Sequence, residues 1–182
     1  TLGPVRLQAD QPMVLALTGA AQAQVAGQVI APGTAFALDA GDEVRIDPPV
    51  AGMRSYLALR GGYDVAPVLA SAATDTLAFV GPDALTSGAV IAPANRPAMA
   101  VGLPEDQPEL PTPGDLVDLP VTLGPRTDWF TPPMVQHFLT QEWLVTPQSS
   151  RVGIRLSGEQ PMTRPDANEL PSEGTETGAI QI

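Results

Sequence analysis

Proline and glycine are the residues that most constrain how this chain can fold. The 182 residues include 21 prolines and 17 glycines. Proline lacks a backbone donor and glycine carries extra chain entropy, so this frequency interrupts helices and central strands alike. Many short elements joined by tight turns are therefore expected. The sequence predicts a mainly β fold with a few short helices.

The hydrophobic residues indicate how a core could be built. They make up 43% of the chain, whereas aromatic residues contribute 4% and charged residues 16%. A core of this composition consists mostly of aliphatic side chains, and the length suits one ordinary domain or two small lobes.

The charge pattern excludes several classes of partner. The formal net charge is −11, and all nine cationic residues are arginine, because no lysine occurs. A surface this acidic repels nucleic acid and anionic lipid, so neither is an expected partner. A phosphate-binding loop of the Gly-Lys-Ser/Thr type needs a lysine. Direct ATP hydrolysis by this chain alone is therefore not expected.

The sequence contains no cysteine and one histidine, His137. Disulfides, thiolate metal sites and a multi-histidine zinc site are thereby excluded within the sequence, and we predict no metal. His137 is either a catalytic residue or an ordinary residue of a helix surface, and no Ser-His-Asp triad can be argued around it. No apolar run approaches the roughly 20 residues of a membrane span. We expect a cytoplasmic protein.

Three patterns outline the elements. Apolar residues 36–38 and 44–46 flank an acidic glycine turn, which predicts a hairpin. Thr131 as N-cap and Pro132 in the first turn predict a helix with apolar residues at helical spacing through residue 139. Seven prolines in residues 93–120 indicate an exposed connector. We therefore predict a first β lobe in residues 1–92, this connector, and a second β lobe in residues 121–182.

Two loops offer groups that could bind a substrate. Gly61 and Gly62 precede Asp64 at a strand end, where glycine would let a ligand approach the backbone, or where the chain merely turns. Arg151 follows Ser149 and Ser150. Its guanidinium could bind a carboxylate with two hydrogen bonds, or pair with a surface acid in a hairpin turn.

A third loop carries the candidate catalytic residues Ser172 and Glu173. A carboxylate at position 173 could act as a base or orient an amide if burial raised its pKa. The alternative is a polar turn that enters a last strand at residues 178–182.

Seven segments in collinear order cover nearly the whole chain: residues 15–20, 40–42, 54–65, 123–131, 143–156, 169–174 and 178–181. Any one segment is a weak signal, but their order along the chain is specific. Together they resemble a biotin-dependent carboxyltransferase-like family, which includes allophanate hydrolase subunit 2 and the C subunit of prokaryotic 5-oxoprolinase and is related to urea amidolyase.

The resemblance implies two cyclophilin-like β-barrel lobes, with the first incomplete at its N-terminal end and the second at its C-terminal end. It also implies partner chains, namely a kinase-inhibitor-like B subunit and an A subunit of the same complex. The implied function is that of one component in a heteromeric ATP-dependent amide hydrolase of the 5-oxoprolinase or allophanate hydrolase type, acting on a small amide or carboxylate.

Two alternatives remain open. The chain could be a regulatory partner of a kinase-inhibitor-like protein, or a carboxyltransferase lobe of a biotin-dependent carboxylase. In each case we expect this chain alone to bind no cofactor. ATP would act in the complex, and any biotin would arrive on a partner, because the sequence has no Ala-Met-Lys-Met attachment segment.

Overall fold

Two units make up the chain in a computed structural model that describes residues 4–104, 106–166, 168–169 and 174–182. The first unit spans Thr1–Val117 and the second Asp118–Ile182. The finer division into residues 1–92, 93–120 and 121–182 stays a prediction.

Seven short strands build the first unit, and every pairing between them is antiparallel. One sheet has the order β1-β6-β3-β4 and the other the order β5-β2-β7. The strands are β1 Val5–Gln8, β2 Met13–Gly19, β3 Ala23–Val25, β4 Gln28–Ile30, β5 Ala35–Leu38, β6 Glu43–Ile46 and β7 Ser55–Leu59.

Side chains from both sheets form one hydrophobic core. In β5 and β6 every second residue is buried, as expected of strands with one face turned inward. Val44 is completely inaccessible to solvent. The buried residues are Ala9, Leu15, Leu17, Ala21, Ala23, Phe36, Leu38, Val44, Ile46 and Leu59.

The predicted fold class, mainly β in two lobes with a few short helices, is confirmed.

The predicted hairpin over residues 36–46 is wrong, although both of its strands form. β5 pairs with β2, whereas β6 pairs with β1 and β3 in the other sheet. The acidic turn is tied to Ala9, whose N–H donates to the carbonyl of Asp42 at 2.9 Å and whose carbonyl accepts from Gly41 at 2.7 Å. Ala9 lies between β1 and β2, so the turn that joins β5 to β6 is hydrogen-bonded to the link that joins β1 to β2.

A long excursion, residues 65–91, begins and ends at the same place in the first unit. The N–H of Asp64 donates to the carbonyl of Ala92, and the N–H of Ala94 donates to that of Gly62, each at 2.8 Å. The excursion contains isolated bridges but no helix or strand. Its ends are therefore fixed while nearly all of its side chains are exposed.

The Pro-rich segment that follows is hydrogen-bonded to the loop between β6 and β7. The N–H of Gly52 donates to the carbonyl of Pro111 at 2.7 Å, and the Leu110 side chain lies against Gly52. Residues 116–123 are largely apolar but form no strand. Short apolar runs between prolines lack the neighbouring strand that would satisfy their backbone groups.

Within its described residues, the second unit contains one α-helix, one 3-10 helix and one strand pair. A short 3-10 helix, Thr127–Trp129, precedes helix α1, Pro132–Thr140, which confirms the predicted helix. β8, Trp143–Val145, pairs with β9, Leu156–Gly158. No side chain among the described residues of this unit is fully buried. None of the described helices is long and apolar enough to cross a membrane.

Thr131 caps helix α1 with its side chain, which accepts from the N–H of Met134 at 3.4 Å. We expect Thr131→Ala to destabilise the second unit by about 0.5–1 kcal/mol, because the first turn loses a partner for its unpaired donors. Thermal unfolding followed by tryptophan fluorescence measures this, since the Trp143 indole donates to the helix carbonyl of Phe138 at 3.0 Å. Thr131→Ser keeps the hydroxyl and serves as control; equal loss in both variants would contradict the capping role.

Candidate substrate site

The Gly61-Gly62 turn begins directly after β7. Both residues have positive φ angles, 87° and 78°, which side chains with a Cβ rarely adopt. A Cβ at Gly61 would lie 3.3 Å from the carbonyl oxygen of Arg96. Glycine is therefore required here both by conformation and by the close approach of a second chain segment.

That second segment, residues 92–99, runs alongside the turn and brings a second arginine to it. The N–H of Arg96 donates to the carbonyl of Gly61 at 3.1 Å. Its Nη1 lies 3.9 Å from the position that a Cβ on Gly62 would occupy. The Nε of Arg60 donates to the carbonyl of Met99 at 3.3 Å. The guanidinium of Arg96 thus lies beside the turn, and that of Arg60 lies on the segment that runs alongside it.

Tyr63 anchors the same turn to the body of the first unit. Its hydroxyl donates to the carbonyl of Leu57 at 3.1 Å, and its ring packs against the core. Burial raises the pKa of the Tyr63 phenol, because the phenolate would lose hydration. Asp64, the next residue, is exposed. The turn is therefore fixed on one side and open to ligands on the other.

Alkaline titration tests this burial. We expect the phenol that disappears in Tyr63→Phe to titrate above pH 10, the usual value for tyrosine, in absorbance at 295 nm. Because the unfolded chain ionises first, the stability contributed by this group is present below pH 10 and falls as the pH rises beyond it. Loss of a phenol that titrates below pH 10 would contradict the assignment.

The serine hydroxyls of the second loop shape its backbone. Ser149 Oγ accepts from the N–H of Arg155 at 3.0 Å, and Ser150 Oγ accepts from the N–H of Val152 at 3.2 Å. The N–H of Ser150 also donates to the carbonyl of Gly153 at 2.9 Å. Both hydroxyls hold the turn between β8 and β9, and Arg151 stands exposed at its tip.

The predicted site residues fall into three groups. Gly61, Gly62 and Asp64 lie together in the first unit, while Ser149, Ser150 and Arg151 lie together in the second. Ser172 and Glu173 lie outside the described residues. Their assignment to substrate binding and catalysis stays a prediction.

Other candidate positions offer fewer groups that could bind or react with a substrate. The Nε2 of His137 is inaccessible and has no hydrogen-bond partner among the described residues, and the same holds for the Thr146 hydroxyl. An open apolar depression of about 480 Å³ lies beside α1 and includes none of the predicted site residues. The described part of the chain gathers no three His, Asp or Glu side chains that could hold a metal ion.

Arg96 is the residue of this region that sequence reasoning missed. It is 36 positions from Arg60, and no motif or spacing links the two in the sequence. Only the backbone hydrogen bonds across the base of the excursion bring Arg96 to the Gly61-Gly62 turn.

A mainly β fold with glycine turns that hold arginines at its surface is consistent with a carboxyltransferase domain. The family model described as carboxyltransferase domain, subdomain A and B, matches residues 1–182, and the chain belongs to this family. Among curated proteins, it is 30% identical over 187 residues to the C subunit of 5-oxoprolinase from Escherichia coli strain K12, a match that covers 100% of this chain and 58% of that protein.

Fungal urea amidolyases are also similar. The Saccharomyces cerevisiae protein is 33% identical over 160 residues, covering 81% of this chain and 9% of the relative. The chain thus spans little more than half of the bacterial relative and a small part of the fungal one.

Two solved structures are similar in fold to this chain. The crystal structure of TTHA0988 matches 86% of this chain and 30% of its own with a TM-score of 0.72 and 28% identity. The urea amidolyase of K. lactis matches 84% of this chain and 10% of its own with a TM-score of 0.65 and 25% identity.

Proposed function

We propose that this chain is part of one component in a heteromeric ATP-dependent amide hydrolase of the 5-oxoprolinase type. The observation that carries the proposal is the 30% identity to the C subunit of 5-oxoprolinase across the full length of this chain. The mainly β fold and the family assignment support the same reading. The relatives are enzymes or enzyme subunits, which supports an enzymatic role for the assembly.

In this proposal ATP binding and substrate binding are assigned to different chains. It has no lysine for a phosphate loop, so ATP would bind on a partner, which we propose to be the A subunit or the kinase-inhibitor-like B subunit of such a complex. This chain would contribute part of the pocket for a small amide or carboxylate. Glu173 and Ser172 are the proposed catalytic groups. The cytoplasmic location expected from the cysteine-free sequence stays a prediction.

The test is reconstitution. The chain, within its full-length protein, is combined with the candidate A and B subunits and assayed for ATP-dependent conversion of 5-oxoproline to glutamate. We expect turnover only when all components are present, and a loss of about 100-fold or more in Glu173→Gln if this carboxylate acts as the base. Full turnover without this chain would contradict the proposal, whereas an unaffected Glu173→Gln variant would reject only the catalytic assignment.

A second candidate is carboxyl transfer from carboxybiotin. It is favoured by the family description and by the similarity to urea amidolyase. Because the sequence has no biotin attachment segment, biotin would arrive on another chain. Addition of a biotinylated carrier and bicarbonate in place of the hydrolase partners separates the two: urea carboxylation would favour transfer, and 5-oxoproline turnover would favour hydrolysis.

A further inference from the structure

We propose that Arg60, Arg96 and Asp64 form a subsite for a small molecule that carries both a carboxylate and an amide N–H. The identity of the ligand as 5-oxoproline rests on the proposed function. The subsite itself rests on how the Gly61-Gly62 turn and residues 92–99 are joined.

The geometry of the two segments is fixed by backbone hydrogen bonds. Gly61 and Gly62 accept from the N–H groups of Arg96 and Ala94, at 3.1 and 2.8 Å. Arg60 is held through its Nε on the carbonyl of Met99, which leaves its two terminal nitrogens available as donors. A subsite built on such a frame needs little reordering when a ligand binds.

Charge makes this place suited to an anion. Neither Arg60 nor Arg96 has a carboxylate within 4.0 Å in the described part of the chain. Arg6 and Arg45, by contrast, pair with Glu43 and Asp47. The guanidinium of Arg60 lies on the carbonyl of Met99, and that of Arg96 lies beside Gly62. In a chain of net charge −11, these adjoining segments thus carry two positive charges that have no acidic partner within 4.0 Å among the described residues. Guanidinium groups bind carboxylates in planar, two-point fashion.

Glycine at position 62 opens the approach to this site. Any side chain there would come into van der Waals contact with the guanidinium of Arg96. A ligand can therefore reach Arg96 across the bare backbone of the turn. Glycine at these positions serves the conformation of the turn and access to the arginine together.

Asp64 adds the second element of recognition. It is exposed, two residues beyond Gly62, and its backbone N–H is bound to Ala92. A carboxylate there repels a simple dianion but accepts a hydrogen bond from an amide or lactam N–H. With two arginines and one aspartate, the subsite carries a net charge of +1, which suits a monoanion with an amide group.

Chemical protection tests the subsite directly. The chain is treated with phenylglyoxal, which modifies arginine, and the modification rate of each arginine is measured by mass spectrometry. With saturating 5-oxoproline we expect the rates at Arg60 and Arg96 to fall about fivefold or more, and those at Arg6 and Arg164 to stay unchanged. The uncharged analogue 5-oxoprolinamide should protect neither. Unchanged rates at Arg60 and Arg96, or equal protection by the amide, would overturn the proposal.

A matched pair of variants keeps the test independent of net charge. Arg96→Gln and Arg6→Gln each remove one positive charge from the same unit. We expect Arg96→Gln to weaken 5-oxoproline binding, measured by calorimetry, by about tenfold or more, and Arg6→Gln to leave it unchanged. Equal affinity in both variants would reject the role of Arg96.

The outcome is separable from the proposed function. Selective protection of Arg60 and Arg96 by 5-oxoproline, without turnover by the reconstituted complex, would support the subsite and reject the hydrolase. Turnover with an unchanged KM in Arg96→Gln would support the hydrolase and reject the subsite.

Discussion

Gly19→Ala is expected to destabilise the first unit by about 3 kcal/mol or more. Gly19 has a φ of 89°, a conformation that costs a residue with a Cβ about 1–2 kcal/mol. The added Cβ would also collide with the carbonyl oxygen of Arg54. That oxygen accepts from the N–H of Ala20 at 2.7 Å, so it cannot move without breaking this bond. Urea unfolding followed by circular dichroism measures the loss.

Gly27→Ala is the matched control for this experiment. Gly27 also has a positive φ, 79°, but a Cβ there would meet no atom within 4 Å. We expect it to cost about 1 kcal/mol, from conformation alone. Similar destabilisation by the two substitutions would contradict the role assigned to the Arg54 contact.

Leu17→Ala should have a comparable effect for a different reason. Leu17 lies in the central strand of its sheet, opposite Leu57, and is 3% exposed within the core. Removing its side chain leaves a cavity that the surrounding strands fill only partly, which typically costs about 2–5 kcal/mol. Only ten described side chains form the core, so the loss of one should affect the whole strand. We expect a lower urea midpoint and faster amide exchange throughout β2.

Leu103→Ala gives the reference for a leucine without burial. Leu103 belongs to the same unit and is 92% exposed. Its truncation should change the free energy of unfolding by no more than about 0.5 kcal/mol. A large effect at Leu103, or a small one at Leu17, would show that the core has been assigned to the wrong residues.

The fold was predictable as far as local patterns reach. Apolar residues on either side of the acidic glycine turn located β5 and β6, and the cap at Thr131 located α1. The same patterns could not show that β5 and β6 join different sheets, because their partners, β2 for one and β1 and β3 for the other, lie elsewhere in the sequence. Apolar runs such as residues 89–91 and 116–123 form no strand, because no neighbouring strand lies beside them to complete the pairing.

The candidate site was predictable in part. The Gly61-Gly62 turn could be recognised from composition, since glycines after an apolar strand indicate a special backbone conformation. Arg96 could not, because its place depends on the route of the chain through residues 65–91. The serines at 149 and 150 were proposed as ligand groups, and the structure gives their hydroxyls backbone partners instead of leaving them without contacts. Whether they also bind a ligand stays a prediction.

The two ends of the excursion, residues 65–91, are joined by hydrogen bonds, and this affects how much its length can change. A loop whose ends are already joined changes in free energy only slowly with length, by about 0.6 kcal/mol for each doubling. Insertions near the exposed residues 83–88 therefore leave the two sheets and the paired segments at the base in place. The excursion can therefore be lengthened or shortened, or can hold a reporter tag, provided that residues 60–64 and 92–96 are retained.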